Sequence, residues 1–260
     1  MKKHYFNMEN TQSYQSFLKS PHSVFKHSTY FQAYDELLME YRGKEITFVE
    51  IGVLGGGSLF MWRDFFGPQA RIVGIDLNPS AKKWETEGFE IFIGSQSDSD
   101  FWDRFTEKIG PVDVLLDDGG HTYEQQIVTV EAMLSNIKDG GKLIVEDAHT
   151  SYMNGFGPRR YSFIEYTKTL IDAVNRRFGN FEQSNPERRM WSITIYESIV
   201  AFSINKKLSN LISTPVKGSG LDDGAQDYRF GEPKTWSRRL KKWKNKYALS
   251  VFFRCRRYFK

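Results

Sequence analysis

The chain has 260 residues, 40% hydrophobic and 26% charged, enough for one large domain with a proper core or one domain plus extensions. No apolar run approaches the roughly 18–20 residues of a membrane span, the first residues lack the apolar stretch of a secretory signal, and the single Cys255 cannot form an internal disulfide, so a cytoplasmic, reducing location is expected. The net charge of +4 hides an asymmetry: from Lys234 onward there are 11 Lys or Arg and no acid, leaving 25 basic against 32 acidic residues before it.

Residues 1–22 are polar and show no clear period. Over 23–41, Phe25, Tyr30, Tyr34, Leu37, Leu38 and Tyr41 recur at a rough helical spacing, so residues 1–45 read as a helical N-terminal extension. Glu45 to Gly52 reads as a buried strand running into a glycine loop, and Ser58 to Phe66 as a helix ended by Gly67-Pro68. Strands are expected at Arg71–Asp76, Phe89–Ile93, Val112–Asp118 and Gly140–Asp147, with helices at Phe101–Ile109, Glu124–Ile137 and Tyr161–Phe178. Trp191 to Asn205 offers a hairpin turning at Glu197-Ser198. Short runs of Val, Ile and Leu alternating with helices predict an α/β fold: a doubly wound, mostly parallel, Rossmann-like sheet over residues 46–206 with an antiparallel C-terminal hairpin. Residues 207–233 read as a linker and 234–260 as a basic helical tail.

In such sheets, ligands bind beyond the carboxyl ends of the strands. The first predicted strand ends in Glu50-Ile51-Gly52, and Gly55-Gly56-Gly57-Ser58 leads into the next helix. The spacing is not the phosphate-binding G-x-G-x-x-G, so a pyrophosphate reading loses ground. Asp76 stands at the end of the second strand, where an acid can accept hydrogen bonds from both hydroxyls of a ribose or cap a helix. Gly94-Ser95-Gln96-Ser97-Asp98 follows the third strand, either as polar groups at an adenine edge or as a turn and helix cap.

The fourth strand ends in Asp117-Asp118-Gly119-Gly120-His121 and the fifth in Glu146-Asp147. If these ends face one pocket, up to four carboxylates gather there, which is costly unless a cation neutralises them or some take up protons. Oxygen ligands of this kind select a hard cation such as Mg²⁺. The alternative is that one carboxylate of each pair caps a helix and the others are solvated. His121, in a loop three residues past Asp118, has the chemistry to accept a proton near neutral pH.

These segments, together with Met61-Trp62-Arg63-Asp64, Gly74-Ile75-Asp76-Leu77 and the run Glu146 to Tyr152, resemble the metal-dependent sugar O-methyltransferases of macrolide biosynthesis. A cephalosporin hydroxylase-like group is a broader relative. The resemblance covers Phe48 to about Tyr152, several motifs in the right order. It implies that Asp118, Glu146 and Asp147 hold Mg²⁺, that His121 is the general base, and that Glu50, Asp76, Ser95 and Gln96 contact S-adenosylmethionine (SAM). Asp117 is expected near the amino-acid end of SAM, and Gly52, Leu54 and Ser58 of the glycine loop complete the cofactor set. The implied function is Mg²⁺-dependent methyl transfer from SAM to a hydroxyl of a sugar or glycoconjugate, in bacterial polysaccharide or natural-product synthesis. Two departures stand out. Gly120 replaces a serine of the macrolide enzymes, and only about 45 residues stand where those enzymes carry a long N-terminal domain. A homo-oligomer is compatible with the resemblance, but the macrolide enzymes' subunit arrangement does not carry over.

Rival readings are a tailoring enzyme for a non-sugar metabolite, and a non-catalytic scaffold of the same fold. In the basic tail, Trp236, Leu240, Trp243, Tyr247 and Val251 fall at steps of four, three, four and four, an amphipathic pattern. It suits an anionic membrane surface or docking on protein better than nucleic acid, because the basic residues avoid the carboxylate motifs.

Overall fold

The computed structural model describes residues 8–176 and 188–221, with single positions between 224 and 243. Residues up to Ser213 form one compact unit, and Thr214 onward forms a second. The first unit is built on a seven-stranded sheet in the order β3-β2-β1-β4-β5-β7-β6. Its strands are β1 (Thr47–Ile51), β2 (Arg71–Asp76), β3 (Glu90–Ile93), β4 (Val112–Asp117), β5 (Ile137–Val145), β6 (Met190–Tyr196) and β7 (Ile199–Ile204). The first five are parallel, and β7 runs antiparallel between β5 and β6. This is the expected doubly wound sheet with its C-terminal hairpin. The strand order reverses between β1 and β4, which opens the binding crevice at their carboxyl ends.

Successive residues of the central strands face opposite layers. Phe48, Val114, Leu116 and Ile144 enter one core with α2 (Tyr30–Leu38) and α3 (Gly57–Phe66). Val49, Leu115, Leu143 and Val145 enter the other with α4 (Ser99–Ile109), α5 (Tyr123–Met133) and α6 (Phe163–Arg176). Burial on both faces is why these strands read as continuous apolar runs.

Several elements differ from the sequence reading. Residues 1–22 contain a helix, α1 (Gln12–Lys19). Its two most buried positions are serines, Ser13 Oγ donating to the Phe31 carbonyl and Ser16 Oγ to Asp64, beside Tyr14 and Phe17, whose rings pack on Phe31. Serine at the two most buried positions breaks the apolar pattern that Tyr14 and Phe17 begin. The helix expected over 23–41 begins only at Tyr30, after an irregular stretch, because residues 23–27 turn inward to wall the cavity. Strand β5 starts at Ile137 rather than Gly140. The linker opens with a short helix, α7 (Lys206–Ser209), capped by Asn205. Most of the basic tail lies outside the described residues. Of its predicted stripe, Trp236, Leu240 and Trp243 are exposed, and Tyr247 and Val251 are not described. Among the described residues, no helix is long and apolar enough to cross a membrane.

Candidate active site

A cavity of about 660 Å³ opens along the carboxyl ends of β1 to β5. Its size is in the range of small-molecule sites. The strands end in step: Ile51 pairs with Asp117, and Asp117 with Val145. The next residues continue the ladder, with Asp118 N–H donating to the Ile51 carbonyl and Glu146 N–H to the Asp117 carbonyl. That register brings two motifs separated by almost thirty residues onto one floor.

The loop half of the cavity is organised by Asp76. Its Oδ2 accepts the backbone N–H groups of Val53 and Leu54, both at 2.9 Å, and its Oδ1 accepts that of Asn78 at 2.7 Å. The cap of the following turn is Asn78, whose side chain accepts from Ser80, so Asp76 is free of that role. Gly52 has φ +92, and a Cβ there would lie 2.1 Å from the Asp118 carbonyl oxygen. Only glycine allows β1 and β4 to approach this closely. In the segment after β3, Asp98 caps α4 while Ser95 lines the cavity. The turn-and-cap reading therefore holds for Asp98, and Ser95 stands on the cavity wall.

Gly52, Leu54, Ser58, Asp76, Ser95 and Gln96 all border the cavity. Glu50 and Asp117 do not; they lie beneath the floor. Glu50 accepts from Ser58 Oγ at 2.6 Å and Trp62 Nε1 at 2.9 Å. Asp117 accepts from Gln96 Nε2 and from the Gly119 N–H. The Gln96 amide is thus spent on β4, its Oε1 also accepting from the Gly120 N–H. Burial pushes Glu50 and Asp117 up to about 7 each, against the favourable bonds they accept.

The carboxylate half gathers Asp118, His121, Glu146 and Asp147, all on the cavity wall. His121 Nε2 lies 3.3 Å from Asp147 Oδ2 and 3.9 Å from Asp118 Oδ1. Its Nδ1 is buried and has no hydrogen-bond partner. His121 and Asp147 both hold left-handed backbone, φ 59 and 55. That conformation is disfavoured for non-glycine residues and clusters where geometry serves function. Asp118, His121 and Asp147 each offer an atom within 4.8 Å of the others, a donor set of hard oxygens and one imidazole that suits a small divalent cation. Asp147 stands at the N-cap position of a 3-10 turn, Ala148–Tyr152, but its carboxylate makes no cap hydrogen bond there.

Glu146 is 1% exposed and is held differently. Its Oε1 accepts from the Tyr34 hydroxyl at 2.5 Å, and Lys26 Nζ lies 3.1 Å from its Oε2. The same ammonium is 2.6 Å from Asp118 Oδ2 and 3.9 Å from Glu50. Burial pulls the Lys26 pKa down, but the charges of Asp118, Glu146 and Glu50 outweigh it and the net shift is upward. Burial pushes Glu146 up to about 8 despite the lysine. The Tyr30 hydroxyl donates to Asp147 Oδ1 at 2.5 Å and lies 2.9 Å from Ser198 Oγ at the hairpin tip. Lys26, Tyr30, Tyr34 and Ser198 were all missed in the sequence. The only available signal was that the apolar spacing of 23–41 includes tyrosines, which can carry a buried hydroxyl to a partner.

A glycine loop and an acid at the first two strand ends of a doubly wound sheet, with carboxylates at the fourth and fifth, define a Rossmann-like fold of the SAM-methyltransferase type. Residues 49–148 match the family model described as "Methyltransferase domain". Among curated proteins, the chain is 33% identical over 157 residues to mycinamicin VI 2''-O-methyltransferase of Micromonospora griseorubida, covering 55% of this chain and 39% of that one. It is likewise 33% identical over 157 residues to demethylmacrocin O-methyltransferase of Streptomyces fradiae, with the same coverage. The mycinamycin-pathway methyltransferase MycE, solved with Mg and SAH, superimposes with a TM-score of 0.67 at 27% identity, covering 78% of this chain and 55% of that one. The chain therefore carries a methyltransferase domain similar to the sugar O-methyltransferases of macrolide biosynthesis, as its motifs implied. It spans about two fifths of the length of those curated relatives.

Proposed function

We propose that this protein transfers a methyl group from SAM to a hydroxyl of a sugar or glycoconjugate, with Mg²⁺ and with His121 as general base. The observation that carries the reading is the convergence of Asp118 Oδ1, Asp147 Oδ2 and His121 Nε2 on one cavity with the glycine loop. A sugar hydroxyl ionises far above neutral pH and is a weak nucleophile. When bound, SAM supplies an electrophilic methyl group, and Mg²⁺ supplies the charge that makes the hydroxyl more acidic. Asp118, Glu146 and Asp147 would hold the cation, Asp118 Oδ1 and Asp147 Oδ2 being the oxygens turned toward His121. His121 accepts the hydroxyl proton at Nε2, the nitrogen on the carboxylate side, and the Asp147 carboxylate 3.3 Å away favours the imidazolium that forms. Asp76 and Ser95 border the space for the ribose and adenine, and Gly52 lets the backbone come close to the ligand.

The acceptor class is supported by relatives named for methylating rhamnosyl-tetracenomycin and olivosyl-oleandolide compounds. A polysaccharide or natural-product setting follows as part of the same proposal. The basic segment from Lys234 on is proposed to rest on an anionic membrane surface, its aromatics at the headgroup level. Equal, poor sedimentation with anionic vesicles of the full chain and of a chain cut after Gly231 would remove that part.

The test of the central reading is calorimetric titration with SAM, with Mg²⁺ and then with a chelator, on the wild type and Asp118→Ala. Micromolar SAM binding and a separate Mg²⁺ site lost in Asp118→Ala are expected, followed by transfer of labelled methyl to sugar acceptors. No SAM binding under either condition sinks the reading and leaves the scaffold alternative.

A further inference from the structure

Three side chains from residues 26–34 reach three of the four carboxylates at the ends of β4 and β5. Lys26 Nζ meets Asp118 Oδ2 and both oxygens of Glu146. The Tyr30 hydroxyl donates to Asp147 Oδ1, and the Tyr34 hydroxyl to Glu146 Oε1. Tyr30 and Tyr34 stand one turn apart on α2, so both point the same way from one helix face. The contacts on the two aspartates share a pattern. In each, one oxygen is taken from the N-terminal side and the other is left facing His121. Asp118 gives Oδ2 to Lys26 and turns Oδ1 to within 3.9 Å of His121 Nε2. Asp147 gives Oδ1 to Tyr30 and turns Oδ2 to within 3.3 Å.

We infer that Lys26 and Tyr30 are positioning residues that aim Asp118 and Asp147 at the cation and acceptor site. The terminal torsion of an aspartate is broad and roughly two-fold. A carboxylate free to rotate about it spreads its oxygens over many directions. Fixing one oxygen fixes the other, and the ordering entropy is met on folding rather than on cation binding. The charges agree with this assignment. Glu50, Asp118, Glu146 and Asp147 carry four negative charges when ionised; Lys26 offsets one and leaves a site that still attracts a divalent cation. Lys26 is 2% exposed, and a lysine buried this deeply among carboxylates is a fixed part of the site. The inference rests on the proposed cation-dependent function and deepens it by assigning the N-terminal segment to the site.

The test uses Mn²⁺ as the probe, its free signal read by electron paramagnetic resonance on the full chain. Tyr30→Phe removes one hydroxyl and keeps the ring in the core. Its Mn²⁺ affinity is expected to fall about tenfold. Tyr41→Phe is the control: that hydroxyl donates to the Gly140 carbonyl, away from the site, and the variant should bind Mn²⁺ as the wild type does. Lys26→Met should bind Mn²⁺ at least tenfold more weakly, with part of the loss recovered by Lys26→Arg. If Lys26→Met leaves three carboxylates uncompensated and does not fold, Tyr30→Phe still decides. Equal affinity in Tyr30→Phe and wild type overturns the inference alone. Tighter Mn²⁺ binding by Lys26→Met also overturns it, making the ammonium a competitor of the cation. Absence of Mn²⁺ binding by the wild type overturns both the inference and the cation-dependent reading.

Discussion

The two halves of the cavity are held in different ways. In the loop half, Asp76 is fixed by backbone N–H groups from Val53, Leu54 and Asn78, and Gly52 permits the approach of β4. In the carboxylate half, Asp118, Glu146 and Asp147 are fixed by side chains from Lys26, Tyr30 and Tyr34, far earlier in the chain. The first half is a property of the βα turns and would survive many changes elsewhere. The second depends on an N-terminal segment folding back across the sheet. A site of this kind concentrates charge at the price of needing remote partners to stay in place.

The largest expected effect breaks the carboxylate half alone. Asp118→Ala removes the residue that meets both Lys26 and His121. Methyl transfer is expected to fall about a thousandfold, on the scale of losing a main electrostatic element of a site. SAM affinity should change little, because the loop half is untouched. Parallel loss of SAM binding, measured by calorimetry, would show that the halves are not separable.

Next comes the floor between them. Burial raises Asp117 to about 7 in the folded protein, above its ordinary value. The folded state therefore binds this proton more tightly than the unfolded state between about pH 4 and 7. Stability should fall as pH rises through that window and level off above it, by on the order of 4 kcal/mol from this group. Asp117→Asn keeps the position neutral and should flatten part of that fall. Urea denaturation across pH 4–8 measures it; an unchanged slope in the variant would assign the pH dependence to Glu50 and Glu146 instead.

A smaller effect sharpens the loop half. Asp76→Ala frees three backbone N–H groups and removes the acid facing the cavity. SAM affinity should drop about tenfold to a hundredfold, consistent with losing hydrogen bonds to a charged group. Mn²⁺ affinity should stay within twofold of the wild type.

The same contrast explains what was legible in the sequence. The strands showed because burial on both faces makes them apolar runs, and their acidic and glycine ends marked the cavity edge. Asp76, Ser95, Asp118, His121 and Asp147 were found because each sits at a strand end that its own neighbours define. Glu50 and Asp117 were placed at the right strand ends, but depth below the floor is a packing property that spacing does not carry. Lys26 was invisible for a sharper reason. The cation that meets these carboxylates lies 92 residues from Asp118, in a stretch whose spacing reads as helix. Helix α1 escaped because its two most buried positions are Ser13 and Ser16.

The smallest expected effect lies at the start of α5, beside His121. Thr122 follows His121 and opens α5 with a capping box: its Oγ1 accepts from the Gln125 N–H, and the Gln125 side chain accepts from the Thr122 N–H. The box lets the chain pass from the left-handed His121 directly into a helix. Thr122→Ala should cost about 1 kcal/mol of stability. Asp147 faces the His121 ring from across the site at 3.3 Å, a contact the substitution does not touch, so transfer at 25 °C should change less than twofold in Thr122→Ala. A loss of activity larger than the loss of stability accounts for would mean that the helix start, and not Asp147, sets the ring.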